Sequence, residues 1–111
     1  VPQGQEQAAR PHGVGQEMIR TDGQRLSLSG PLTVATAGDL ATAGREHVIA
    51  ADLVVDLSGV TQVDSAALAL LLSWVRAARN AGRRLTIDQP PPALVSLASL
   101  YDVDTILPLA H

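Results

Sequence analysis

Leu53-Val54-Val55-Asp56-Leu57-Ser58-Gly59-Val60-Thr61-Gln62-Val63-Asp64-Ser65-Ala66-Ala67-Leu68 is the stretch that decides the fold. Its first part, with Asp52, is a continuous apolar run flanked by acids, the pattern of a central strand covered on both faces. Ser58-Gly59 reads as the turn that ends the strand, Thr61-Gln62 as a polar loop, and Asp64-Ser65 as the opening of a long apolar helix. This spacing places the Ser65 hydroxyl in the first turn of a helix, beside a loop that faces solvent. A helix start carries unpaired N–H groups and partial positive charge, which suits a phosphate or a partner's acidic group.

Downstream, the helix runs from Ser65 to about Ala81 and stops at Gly82. Leu68, Leu71, Leu72, Val75 and Ala78 recur at helical spacing and form a core stripe, with Leu70 and Trp74 at its edge. Trp74 reads as a partly buried core-edge residue, the alternative being an exposed anchor for a protein partner. Ala66, Ala69, Ser73, Arg76 and Asn80 share the remaining face, whose first turns are small and flat enough for another protein to approach closely. Arg83–Asp88 reads as a strand, Pro90-Pro91-Pro92 as its break, and Ala93 to about Tyr101 as a helix seeded by proline. A final helical turn is expected over Val103–Leu107.

Upstream, Met18-Ile19-Arg20 leads through the hairpin signal Asp22-Gly23 into Arg25–Ser29, where Leu26 and Leu28 alternate with polar residues. Gly30-Pro31 interrupts, and Leu32-Thr33-Val34 continues as a short edge segment. Thr36, with Asp39 three residues on, reads as a helix start. Leu40, Ala43, His47 and Val48 carry that helix to about Ala50. Residues 1–16 are rich in Gly, Pro and Gln without periodicity; they read as a flexible tail, either a remnant of expression or an extension ahead of a natural start at Met18. The expected unit is one domain over residues 17–111. Two strands and then alternating helices and strands argue for an α/β fold, a mixed sheet of four to five strands with helices packed on it.

Composition narrows the function. The chain has 111 residues, 46% of them apolar, and a net charge of -3. No basic cluster is longer than Arg83-Arg84, and the only aromatics are Trp74 and Tyr101, so neither an electrostatic footprint nor a stacking platform for nucleic acid is present. The absence of cysteine removes disulfides, thiolate metal sites and cysteine nucleophiles, and fits a cytosolic setting. The longest apolar run, Ala66–Leu72, is too short to span a bilayer, so no direct membrane insertion is expected. His12, His47 and His111 show no metal-ligand spacing, and Gly-x-x-x-x-Gly-Lys and Gly-x-Ser-x-Gly do not occur. Ser65 has no evident local base, and Asp56 and Asp64 read as a strand-end acid and a helix cap. No enzyme activity, metal or cofactor is expected.

Val54-Val55-Asp56-Leu57-Ser58-Gly59-Val60 followed by Val63-Asp64-Ser65-Ala66-Ala67-Leu68 resembles the core signature of the STAS domain (sulphate transporter and anti-sigma factor antagonist), and the order of elements matches from Met18 to about Leu107. Two branches compete. Anti-sigma factor antagonists usually carry Asp-Ser-Ser-Gly-Leu, with the second serine phosphorylated by a partner kinase; here that position is Ala66. The small cytoplasmic subunit of the Mla phospholipid ABC transporter (MlaB) typically reads Asp-Thr-Ala-Gly-Leu-Ala-Leu-Leu, closer to Asp64-Ser65-Ala66-Ala67-Leu68-Ala69-Leu70-Leu71, with Ser65 in the threonine position. Leu97-Ala98-Ser99-Leu100-Tyr101-Asp102-Val103 also resembles that branch's last helix, where Leu-Tyr-Gly-Val is common. Ala67 replaces the signature's glycine, and is expected to limit how closely a partner approaches there.

The resemblance implies a non-enzymatic accessory subunit that binds and regulates or stabilises the ATPase of a phospholipid-trafficking ABC transporter, and through it the permease, in a system that maintains outer-membrane lipid asymmetry. The protein would be cytoplasmic and peripheral to the inner membrane through that partner. The contact would be formed by Thr61, Gln62, Asp64, Ser65, Ala66, Ala69 and Ser73, with Asp64 capping the helix. The alternative is an anti-sigma factor antagonist, a phosphoswitch with Ser65 as acceptor and an anti-sigma factor kinase as partner. A small-molecule or nucleotide ligand has only the helix start in its favour.

Overall fold

A computed structural model describes residues 18–103 and 105–108; the tail read at 1–16 lies outside the described residues. Strands β1 (Ile19–Asp22), β2 (Arg25–Leu32), β3 (Leu53–Val63) and β4 (Leu85–Asp88) form one sheet in that order, and helices α1 (Val34–Ala50), α2 (Ser65–Asn80) and α3 (Pro92–Leu100) follow β2, β3 and β4. β1 and β2 are an antiparallel hairpin turned at Gly23, whose φ of +62° is open to glycine at no steric cost. β2, β3 and β4 run parallel, as strands joined by crossover helices must. The expected α/β class and mixed four-stranded sheet are therefore present.

Several local expectations are corrected. β3 does not end at Ser58-Gly59 but continues to Val63, so Thr61 and Gln62 lie on a strand. It keeps pairing with β2 by taking extra residues between Asp56 and Gly59 and between Val60 and Gln62, two bulges that the polar sequence had suggested were a loop. Nor is β3 covered on both faces. Leu53, Val55 and Leu57 are buried, whereas Val54 and Asp56 are half-buried on a polar outer face. α1 starts at Val34, not near Thr36: Thr33 is the cap, and its N–H donates to Thr36 Oγ1 (3.1 Å) in the first turn. Leu32 closes β2 instead of opening an edge segment. After α3 the chain makes a single turn, with the Ile106 and Leu107 N–H groups donating to Val103 O.

The core lies between the inner sheet face and the helices, with Leu26, Leu28, Val55 and Ile87 facing Leu40, Leu71, Trp74 and Leu94. Trp74 is fully buried and its indole N–H donates to Ala41 O (3.3 Å), so it is not an exposed anchor. Leu70 is buried too, because α2 packs on α1 as well as on the sheet; Leu72, read as core, is only half-buried. Gly44 allows this packing. A Cβ built there would overlap the Trp74 ring.

On the outer face Asp56 and Asp88 stand directly opposite on β3 and β4, an arrangement that repels. Arg25 bridges them, at 3.1 Å and 2.6 Å. The Asp56 carboxyl is held below the ordinary carboxylate range, first by the Ser58 N–H that donates to it (2.9 Å), then by the Ser58 hydroxyl and by Arg25, against the opposing effect of partial burial.

Two outcomes follow. Gly44→Ala gains at most about 1 kcal/mol of helix propensity but overpacks the α1–α2 contact at a cost of about 1–3 kcal/mol. A lower melting temperature is expected, and an unchanged one would show that the helices separate freely. For Asp56, a depressed folded pKa stabilises above the unfolded value of about 3.9 and is lost as pH falls through the lower folded value. Asp56→Asn should therefore destabilise at neutral pH, with the difference from wild type closing in acid when urea unfolding is followed down to about pH 2.

Candidate functional site

β2 and β3 end side by side, with Leu32 paired to Val63, and each turns directly into a helix. The two helix starts meet at one carboxylate. Asp64 Oδ1 accepts the Ala66 N–H of α2 (2.8 Å), and Asp64 Oδ2 accepts the Val34 N–H of α1 (3.1 Å). Asp64 is thus the cap expected of it, and also a clamp between helices whose first residues lie thirty-one positions apart. The clamp corrects the reading of this helix start as an open anion site. The Ala66 N–H is taken by the carboxylate and the Ala67 N–H by Asp64 O (3.0 Å).

Ser65 is exposed beside this junction, and Thr61 and Gln62 are exposed at the end of β3. Along α2, Ala69 is exposed while Ala66 and Ser73 are half-buried, so the structure brings all the expected contact residues to one end of the sheet and one helix face. Ala67 is fully buried; its methyl points into the core and does not hinder a partner, contrary to expectation. Shallow concavities flank the face on either side. One, of about 320 Å³, is lined by Ser65, Leu68, Ala69, Leu72, Tyr101 and Val103. The other, of about 400 Å³, lies between α1 and α2 and is lined by Ala41, Thr42, Arg45, Glu46 and Ser73.

Sequence reasoning missed two parts of this surface. Val34, 79% exposed, stands at the start of α1 beside Asp64. Tyr101, 55% exposed, walls the first concavity from the end of α3. The signal for Tyr101 was its place in the Leu-Tyr-x-Val stretch. Asp102 adopts φ +62°, a left-handed conformation that aspartate tolerates better than most residues. The Val103 N–H then bonds back to Ala98 O (2.9 Å), which sets Tyr101 and Val103 against α2.

Both Asp64 oxygens are occupied by backbone N–H groups, so this carboxylate is not arranged to take a proton from Ser65. Among the described residues no group of three or more His, Cys, Asp or Glu side chains could hold a metal ion. No helix of the described residues is long and apolar enough to cross a membrane.

Residues 17–108 match the family described as MlaB, STAS domain. The chain belongs to this STAS family. Among curated proteins no sequence matches. A protein from Thermotoga maritima described as an anti-sigma factor antagonist has a similar structure, with TM-score 0.70, 15% identity, and 88% of this chain and 89% of that one covered. The anti-sigma factor antagonist SpoIIAA in its unphosphorylated form gives TM-score 0.65 at 12% identity over 84% and 86% of the two chains. At these identities the likeness is one of fold, and it places this STAS domain's sheet and helices in a known arrangement.

The clamp gives a test. Asp64→Ala removes a helix cap worth about 1 kcal/mol together with the tie to α1, and a loss of about 1–2 kcal/mol in urea unfolding is expected. Asp64→Asn has one acceptor oxygen for two N–H donors and should fall between wild type and alanine. An asparagine variant as stable as wild type would show that one of the two bonds contributes nothing.

Proposed function

We propose that this STAS domain is a non-enzymatic accessory subunit that docks on the ATPase of a phospholipid-trafficking ABC transporter of the Mla type, regulating or stabilising it. In this reading the protein is cytoplasmic, peripheral to the inner membrane through the ATPase and its permease, and part of a system that maintains outer-membrane lipid asymmetry. The observation that supports it most is the face Ser65–Ala69–Ser73, accessible along α2 and flanked on both sides by concavities. Small side chains let a partner helix approach closely, and the concavities can take its larger side chains. Ser65 would make the central hydrogen bond, with Thr61, Gln62 and Ala66 around it and Asp64 fixing the junction. The likeness of Asp64–Leu71 to the MlaB sequence pattern points to the ATPase as the partner.

A second reading is an anti-sigma factor antagonist switched by an anti-sigma factor kinase. Exposure of the Ser65 hydroxyl supports it, because a kinase could reach that oxygen. Against it, a phosphate on Ser65 would meet a helix start where the Ala66 and Ala67 N–H groups already serve Asp64, and would add negative charge beside that carboxylate.

Ser65→Glu should abolish partner binding and leave stability within about 0.5 kcal/mol, since the side chain is exposed and makes no hydrogen bond among the described residues. The check is affinity capture of wild type and variant from native extract, read by mass spectrometry. An ABC ATPase and its permease, recovered with wild type and lost with the variant, is the expected result. An anti-sigma factor kinase recovered in their place would overturn the transporter reading, and an ATPase retained by the variant would overturn the site.

A further inference from the structure

The other end of α2 carries a feature that the docking face does not use. A cavity of about 400 Å³ opens there. Val75, Ala78 and Leu85, each no more than 6% exposed, line its apolar part, and Arg79, Arg83 and Arg84 line it as cations. The backbone that presents these arginines is fixed. Gly82 turns the chain at φ +73°. The Gly82 N–H bonds Arg79 O (3.1 Å), the Arg83 N–H bonds Ala78 O (2.8 Å), and the Arg84 N–H bonds Asp52 Oδ1 (2.9 Å).

Complementing the helix dipole accounts for Arg79, in the last turn of α2. Arg83 and Arg84 lie beyond that turn; the Arg83 Nε–H donates to Ile49 O (3.4 Å) in the last turn of α1, which leaves the rest of its guanidinium fork for a ligand. Among the described residues the ion pairs are those of Arg25 with Asp56 and Asp88; the three guanidiniums at the cavity have no carboxylate partner there. Among the described residues Asp52 is the single acid lining the cavity, and one of its oxygens already serves a backbone N–H. A chain of net charge -3 thus gathers three of its eight basic residues at one concavity. Guanidinium forks match phosphate oxygens in geometry and charge, and the cavity has room and apolar surface for more than an inorganic ion.

We propose that this cavity binds a phosphate ester, its phosphate held by Arg79, Arg83 and Arg84 and its organic body laid over Val75, Ala78 and Leu85. The ester could reach the cavity as a soluble metabolite or as a phospholipid headgroup; the recognition chemistry is shared. The α2 residues that line this cavity, Val75, Ala78 and Arg79, lie ten to fourteen positions along the helix from Ser65, about 15–21 Å, so the proposal stands independently of the docking reading and Ser65→Glu should leave it untouched.

The test uses the full isotope-labelled chain. Amide resonances of residues 82–85 are followed during titration with glycerol 3-phosphate and with inorganic phosphate, and co-sedimentation is measured with phosphatidylglycerol-containing and phosphatidylcholine-only vesicles. The expected result is saturable binding weakened about tenfold or more in Arg83→Gln/Arg84→Gln and kept in Arg10→Gln/Arg20→Gln, which removes the same charge at other positions of the chain. Binding of glycerol 3-phosphate assigns the site to a soluble ester; sedimentation with phosphatidylglycerol vesicles alone assigns it to a headgroup. Absence of binding in both arms, or an equal loss in the two double variants, overturns the proposal. If Arg83→Gln/Arg84→Gln does not keep the wild-type spectrum, Arg79→Gln is read in the same way.

Discussion

One carboxylate joins the two halves of the helical layer. Strands β2 and β3 end together, and each helix that follows begins with N–H groups that have no partner within the helix. Asp64 accepts one from each helix. The contact ties the starts of α1 and α2 at the sheet's edge, and the Gly44–Trp74 contact holds the helices together further along. With both points fixed, α2 faces α1 on one flank and the sheet beneath. Its remaining flank, with Ser65 and Ala69, is left accessible. The surface proposed for docking is thus a consequence of how the helices are tied, not an addition to the fold.

The sheet solves a different problem on its outer face. A bulged β3 releases the Ser58 N–H to the Asp56 carboxylate, and the register then sets Asp56 opposite Asp88. Two carboxylates at that spacing would push β3 and β4 apart. Arg25, on β2, reaches across β3 to both, so the charges cross-link three strands. This is why β3 tolerates an acid in its middle without a helix over it, and why a run that reads as doubly covered is covered on one face.

Sequence carried what is local. Alternation at Leu26 and Leu28, the Asp22-Gly23 turn, the apolar run at Leu53 and the helical spacing from Leu68 give the element order and the α/β class, and the periodicity of α2 puts Ala66, Ala69 and Ser73 on its outer side. Asp64 reads as a cap because capping is decided within three residues. Its second bond does not, because Val34 comes from another element. Gly44 carries no sequence signal of its contact with Trp74, and Trp74 looks like an edge residue until α1 is in place. Thr61 and Gln62 read as a loop because polar residues on a bulged strand lose the alternation that marks a strand. Arg79, Arg83 and Arg84 read as a helix end and a strand start, and only the α2–β4 turn makes them neighbours.

The same reasoning bears on how Ser65 acts. An isolated helix start attracts anions because its donors are free, and on that basis Ser65 would be a good place for a phosphate. Here the Ala66 and Ala67 N–H groups are bound to Asp64, and the carboxylate that binds Ala66 also holds α1. A phosphate on Ser65 could gain those donors only by displacing Asp64, which would loosen the junction of α1 and α2 and with it the face a partner would use. Without such displacement it would add like charge next to an anchored carboxylate. In either case modification would oppose the docking proposed for this surface. An unmodified hydroxyl, by contrast, can form a hydrogen bond with a partner and leave the clamp intact. In the docking reading proposed above Ser65 is a contact residue, and a switch at this position would have to work by breaking contact.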